Sequence, residues 1–160
     1  MRATTHATMS ARHNAVKTHM LNNVHHLGIA VHDLDATIDL YRRMFGVTAW
    51  EHISLPERHM NVAVCQVGST LLEFITPTSD EAAFAKFLRE RGDGIHHVAY
   101  QVDDIEQALR TLEQQGMRLI DQHARPGIHD TLVAFLHPKA TGGVLIELVE
   151  EPGPVGDKNL

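Results

Sequence analysis

From residue 24 onward, hydrophobic and polar positions alternate in short runs whose period changes in a regular order. "HHLGIAV", starting at His25, has the two-residue period of a half-buried strand. "LDATIDLYRRMF" then places Leu34, Ile38, Tyr41 and Phe45 on one helical face, with Asp33 as N-cap and Gly46 as stop. "VTAWEHISL", "MNVAVCQVG" and "TLLEFITP" predict three strands, divided by Pro56 and by the turn at Gly68-Ser69. "DEAAFAKFLRERGDG" predicts a linking helix that ends at Gly92.

The same order then recurs. "HHVAYQV" predicts a strand, and "DDIEQALRTLEQQG" a helix with Ile105, Leu109 and Leu112 on one face, ending at Gly116. "MRLIDQ", "TLVAFLHP" and "GVLIELVE" predict three more strands. His26 and His97 lie 71 positions apart, Gly46 and Gly116 70, Glu73 and Glu147 74. Such a repeat implies two βαβββ units, each too small to bury its own sheet. The fold class expected is α+β, with the two modules paired into a cup-shaped, barrel-like sheet. One domain is expected over residues 23–151: module one at about 23–78, a linking helix at about 79–93 and module two at about 94–151. Residues 1–22 and 152–160 are expected to be tails. The N-terminal one carries Arg2, Arg12 and Lys17 and no acidic residue, a composition compatible with a transit peptide but equally with a plain extension.

Composition removes several function classes. A net charge of −6 with no long Lys/Arg run argues against a nucleic-acid surface. No apolar stretch approaches the roughly 20 residues that span a bilayer, so no membrane partner is expected. Cys65 is the one cysteine of the chain, which excludes an internal disulfide and favours a reducing compartment. The expected location is cytoplasmic, or the mitochondrial matrix if the N-terminal tail is a transit peptide.

The candidate chemistry lies in the two His doublets and two strand carboxylates. Neighbouring strand residues point to opposite faces, so one His of each doublet is expected to face the cup. His26 shares its face with Gly28 and Ala30, small residues that leave room in a cavity. In "LLEFI" and "LIELV" a single Glu interrupts an apolar strand, and burying an isolated carboxylate is costly without a compensating charge. Taken singly, such a His reads as a hydrogen-bonded core residue and such a Glu as an edge residue. Two of each, at equivalent places in both modules, are most simply compensated by a divalent cation.

"HHLGIAVHDLD", "GIHHVAYQVDDI", "RPGIHDTLVAFLHPK" and "TGGVLIELVE" together resemble the methylmalonyl-CoA epimerase family of the vicinal-oxygen-chelate (glyoxalase) superfamily, over about Val24 to Glu150. The resemblance implies a paired βαβββ fold, a homodimer, an acyl-CoA substrate, and one divalent ion (Co, Mn, Ni or Zn) held by His26, Glu73, His97 and Glu147. It assigns the two acid/base roles of an epimerase to Glu57 and to Glu147, the latter doubling as a ligand. His129 is expected to line the substrate entrance, and Lys139 to meet the phosphates of coenzyme A. Two departures bear on the substrate: Arg58-His59 replaces the family's Gln-Gly, and Asp130 stands where a Gly is usual. A related enzyme acting on another acyl thioester is therefore an alternative. Glyoxalase I-like lyase, ring-cleaving dioxygenase and metal-free binding protein are others, the last two disfavoured by four converging ligands.

Overall fold

The computed structural model describes residues 19–153. Most of the expected N-terminal tail, and residues 154–160 of the C-terminal one, lie outside the described residues. Module one contains β1 (Val24–Ala30), α1 (Leu34–Phe45), β2 (Glu51–Leu55), β3 (Met60–Val67) and β4 (Thr70–Pro77). A short helix α2 (Ala85–Arg91) leads to module two: β5 (Gly94–Gln101), α3 (Ile105–Gln114), β6 (Arg125–Pro126), β7 (Leu132–Leu136) and β8 (Ile146–Glu150).

The eight strands form one mixed sheet in the order β2-β3-β4-β1-β5-β8-β7-β6. The two modules are mirror-ordered about the antiparallel β1–β5 seam, and within each the first strand pairs parallel with the last. The repeat is therefore a structural duplication of the α+β class. Its two helices start alike: Asp33 accepts the N–H of Ala36 at 2.9 Å and Asp104 that of Gln107 at 2.8 Å. Each carboxylate satisfies an amide left unpaired at a helix start.

Alternation along the strands divides the burial. In module one, Ala63, Cys65 and Phe74 pack outward against Ile38 of α1, while Val62, Val64 and Ile75 pack inward near Phe84 and Leu88 of the α2 region. In module two, Ala134 and Leu148 pack against Ile105 and Leu109 of α3. The concave face is left for a cavity. Met20 and Leu21 also pack on the module-two core, so close packing begins a few residues before the expected boundary at residue 23.

Two expectations are corrected. "MRLIDQ" is not a strand: Leu119 makes one isolated bridge to Leu136, and the amides of Ile120 and Asp121 both donate to the Phe135 carbonyl. The Asp121 carboxylate takes the Phe135 N–H at 2.8 Å, so no ladder continues there. Pairing resumes at β6, whose Pro126 lacks an N–H and sits at the sheet edge. Phe45 shares the Tyr41 face of α1 as expected, its ring 5.3 Å from that of Tyr41, and at the last residue of the helix it is 64% exposed. The linking helix is also shorter than expected. Residues 80–84 are turns, with i→i+3 bonds from Ala82 to Ser79 and from Ala85 to Ala82.

Candidate active site

The β1–β5 seam brings the two His doublets together, and it does so through a pair of β-bulges. Val24 pairs with Tyr100 and His26 with Ala99, which leaves His25 as an extra residue on β1. Gly28 pairs with His97 and Ile29 with Ile95, which leaves His96 as the extra residue on β5. A bulge interrupts strict alternation. In consequence all four imidazoles line one cavity of about 330 Å³, rather than one of each doublet as strict alternation predicts.

His26, His97, Glu73 and Glu147 are all buried. His26 Nε2 lies 3.1 Å from His97 Nε2, and each lies 3.0 Å from Glu147 Oε2. Glu73 Oε2 stands 3.6 Å from His26 Nε2. The donor atoms of His26, His97 and Glu147 all lie within 4.8 Å of one another, in a group that does not include Glu73. Register explains the placement. Gly28 pairs with Glu73 across β1–β4, and Ala99, 71 positions on, pairs with Glu147 across β5–β8.

The electrostatics follow from this crowding. Burial alone would raise the Glu147 pKa, but hydrogen bonds from His26 and His97 outweigh it and hold the carboxyl at about 2. Burial acts to lower the His26 pKa, yet Glu147 and Glu73 together raise it. His96 is held at about 4 by burial and by the neighbouring His97, so it is a neutral imidazole near pH 7.

The donor set fits a divalent ion. Bonds of about 2.1 Å place neighbouring donors about 3.0 Å apart around an octahedral ion and about 3.4 Å apart around a tetrahedral one. The three separations of 3.0–3.1 Å match one octahedral face, which leaves further positions open. Two buried carboxylates also balance the charge of a divalent ion, where two neutral imidazoles could not balance the carboxylates. Gly28 completes the arrangement. A Cβ built there would lie 1.9 Å from His97 Cε1, so the missing side chain is the space into which the His97 ring fits.

Other expected residues sit around the mouth. Glu57, on a one-turn 3-10 helix (Pro56–Arg58), lines the cavity with its side chain 63% exposed, and its Oε1 is 3.9 Å from Arg58 Nε. Arg58 donates to the Pro126 carbonyl at 2.6 Å, tying the module-one turn to β6 of module two. His129 lines the cavity and pairs with Glu51 at 2.7 Å, and His59 pairs with Glu81 at 2.9 Å. Lys139 is exposed on the 3-10 turn after β7 and is not among the cavity-lining residues. His25, His96, Glu151 and Arg125 also line the cavity and had not been singled out. The doublets pointed to the two histidines, but nothing local announced the bulges that turn them inward.

Residues 25–135 match the Glyoxalase/Bleomycin resistance protein/Dioxygenase superfamily. The chain is 33% identical over 145 residues to the mitochondrial methylmalonyl-CoA epimerase of Bos taurus, covering 90% of this chain and 83% of the relative. A crystal structure of methylmalonyl-CoA epimerase from Mycobacterium tuberculosis is similar at a TM-score of 0.80 and 34% identity, over 87% of this chain and 94% of that one. A methylmalonyl-CoA epimerase in complex with methylmalonyl-CoA and ammonium gives 0.77 and 32%, over 83% of this chain and 96% of that one.

Proposed function

We propose that this chain, which belongs to the Glyoxalase/Bleomycin resistance protein/Dioxygenase superfamily, is a metal-dependent epimerase of methylmalonyl-CoA. The observation that carries the reading is the buried trio His26, His97 and Glu147 at the floor of a cavity whose rim bears Glu57. His26, His97 and Glu147 would hold the ion, with Glu73, 3.6 Å from His26, as the fourth ligand. A bound divalent ion supplies a Lewis acid for the thioester oxygen, where negative charge develops as the α-proton leaves.

Inversion of the α-carbon requires proton transfer on both faces. Glu147 serves one face from the cavity floor. Glu57 serves the other from the rim, on a turn pinned to module two by the Arg58–Pro126 bond. His129 lies at the entrance, where it meets the substrate. Lys139, outside the cavity lining, is reached by the phosphates of coenzyme A if the cofactor chain leaves past β7. A homodimer, and a compartment that holds acyl-CoA (the cytoplasm, or the mitochondrial matrix, the Bos taurus relative being named as mitochondrial), complete the reading.

A second reading keeps the enolate chemistry and changes the acyl group. It rests on Arg58 and His59, two bulky and basic residues on the cavity lining. One experiment separates the two. The metal-loaded protein is incubated with methylmalonyl-CoA in D₂O, and the α-carbon is followed for deuterium and for configuration. Deuterium with inversion is expected. Deuterium with retained configuration supports the second reading, and no exchange with any malonyl-type thioester overturns both.

A further inference from the structure

Each ligand histidine of the trio has a second histidine against its other ring nitrogen. His26 Nδ1 lies 2.8 Å from His25 Nδ1, and His97 Nδ1 lies 3.0 Å from His96 Nδ1. The rings of each pair are nearly perpendicular, at 75° and 88°, so the contacts are edge-on hydrogen bonds rather than stacks. His25 is bonded onward: its Nε2 lies 2.7 Å from Glu151 Oε1. His96 instead sits between aromatic rings, 5.0 Å from Phe87 and 5.9 Å from Phe84.

Proton counting allows one arrangement of neutral rings. An imidazole that ligates through Nε2 must leave that nitrogen bare and carry its proton on Nδ1. His26 and His97 then donate from Nδ1, so the facing Nδ1 atoms of His25 and His96 must be bare acceptors. Those two rings carry their protons on Nε2, and His25 donates its own to Glu151. Acceptors behind a ligating imidazole fix its tautomer and ring plane and raise its basicity, and their loss typically weakens metal binding about 10- to 100-fold.

We propose that His25 and His96 are positioning residues of the metal centre, each holding its neighbour in the ligating tautomer, and that Glu151 anchors the His25 side. The bulges make this possible, because an unbulged strand would send His25 and His96 to the opposite face from their neighbours. The proposal rests on the reading of His26 and His97 as ligands. It further assigns the greater influence to His25, since a carboxylate stands behind it and only aromatic rings flank His96.

The test uses the full chain with Zn²⁺ and Co²⁺ alone. Calorimetric titration of His25→Phe is expected to give an affinity about 10- to 100-fold below wild type. His96→Phe is expected to give a smaller loss, and Glu151→Gln a smaller one still, because Gln retains an acceptor without the charge. In parallel, long-range ¹H–¹⁵N spectra of the zinc-loaded wild type are expected to show Nδ1–H on two histidines and Nε2–H on the two adjacent in sequence. This readout does not depend on any variant folding. Unchanged affinity in His25→Phe, or an Nδ1–H on His25 or His96 in the loaded protein, overturns the proposal alone. Failure of the wild type to bind either ion overturns it together with the ligand reading.

Discussion

The two modules are built to one plan and contribute unequally to the site. Both supply a His doublet on a bulged first strand and a Glu on the last strand. Glu147 of module two contacts both His26 and His97 at 3.0 Å, whereas Glu73 of module one approaches His26 at 3.6 Å. The cradles differ as well. Gly28 pairs with His97 and cannot accept a Cβ, while its counterpart Ala99 pairs with His26 and carries one. Duplication placed two His and two Glu symmetrically, and local register then set their distances apart. The carboxylate with two imidazole partners is the one to which the proposal gives both ligation and proton transfer.

The largest effect should come from breaking that difference between carboxylates. Glu147→Gln removes a ligand charge and a base together, and α-proton exchange should fall by at least about 10³-fold, with weaker metal binding. Glu73→Gln keeps an oxygen donor and removes no assigned base, so it should retain most of the exchange. Equal residual rates, measured by deuterium wash-in, would show that Glu147 has no dual role. Next in size is Glu57→Gln. Metal content should be unchanged while inversion drops about 10²- to 10⁴-fold. Exchange on the Glu147 face should continue with retained configuration. A parallel loss of metal from this variant would move Glu57 out of the proton-transfer role.

The cradle asymmetry predicts a third, smaller effect. In Gly28→Ala the new methyl and the His97 ring cannot share the space, so the ring must leave its contacts with His26, His96 and Glu147. Metal affinity should therefore fall, by about 10- to 100-fold as for the loss of a ligand's support, and the thermal midpoint of the metal-free protein should fall as well, because over-packing a buried site costs about 1–3 kcal/mol. At Ala99 the module-two counterpart is already a methyl group, so Ala99→Gly should leave affinity nearly intact. An equal loss from both substitutions would refute the idea that module one holds the tighter cradle.

Much of this site was legible in the residues. The 71-position offset located His26 and His97, and a lone Glu within an apolar strand located Glu73 and Glu147, because period-2 burial of a carboxylate demands a partner. The cap at Asp33 was visible because an acceptor side chain stands directly before a helical period. What escaped was non-local. The inward turn of His25 and His96 depends on a register slip between β1 and β5, which neither strand specifies alone. "MRLIDQ" has strand-like residues, but the Asp121 carboxylate takes the amide its ladder would have used. Lys139 lies exposed on the turn after β7, outside the cavity lining, where the proposal has it meet the phosphates of coenzyme A.

The smallest expected effect concerns the two departures from the family pattern, which prove to be equivalent residues. His59 and Asp130 are 71 positions apart, in the turns before β3 and β7, and both are left-handed, at φ 53° and 59°. Each module thus keeps the backbone that glycine adopts freely while carrying a side chain there. His59 gains a 2.9 Å contact with Glu81 in return. Relief of the left-handed penalty should let Asp130→Gly stabilise the protein by a few tenths to about 1 kcal/mol, partly offset by the greater freedom of glycine in the unfolded chain. That corresponds to about 1–4 °C in the thermal midpoint for a chain of this size. His59→Gly should gain less, because it also loses the Glu81 contact. If both variants gain stability yet epimerise methylmalonyl-CoA more slowly, the strained turns are kept for the reaction. If His59→Gly alone changes the preference among acyl thioesters, the module-one turn is the one that reads the acyl group, and the two modules differ in specificity as they do in ligation.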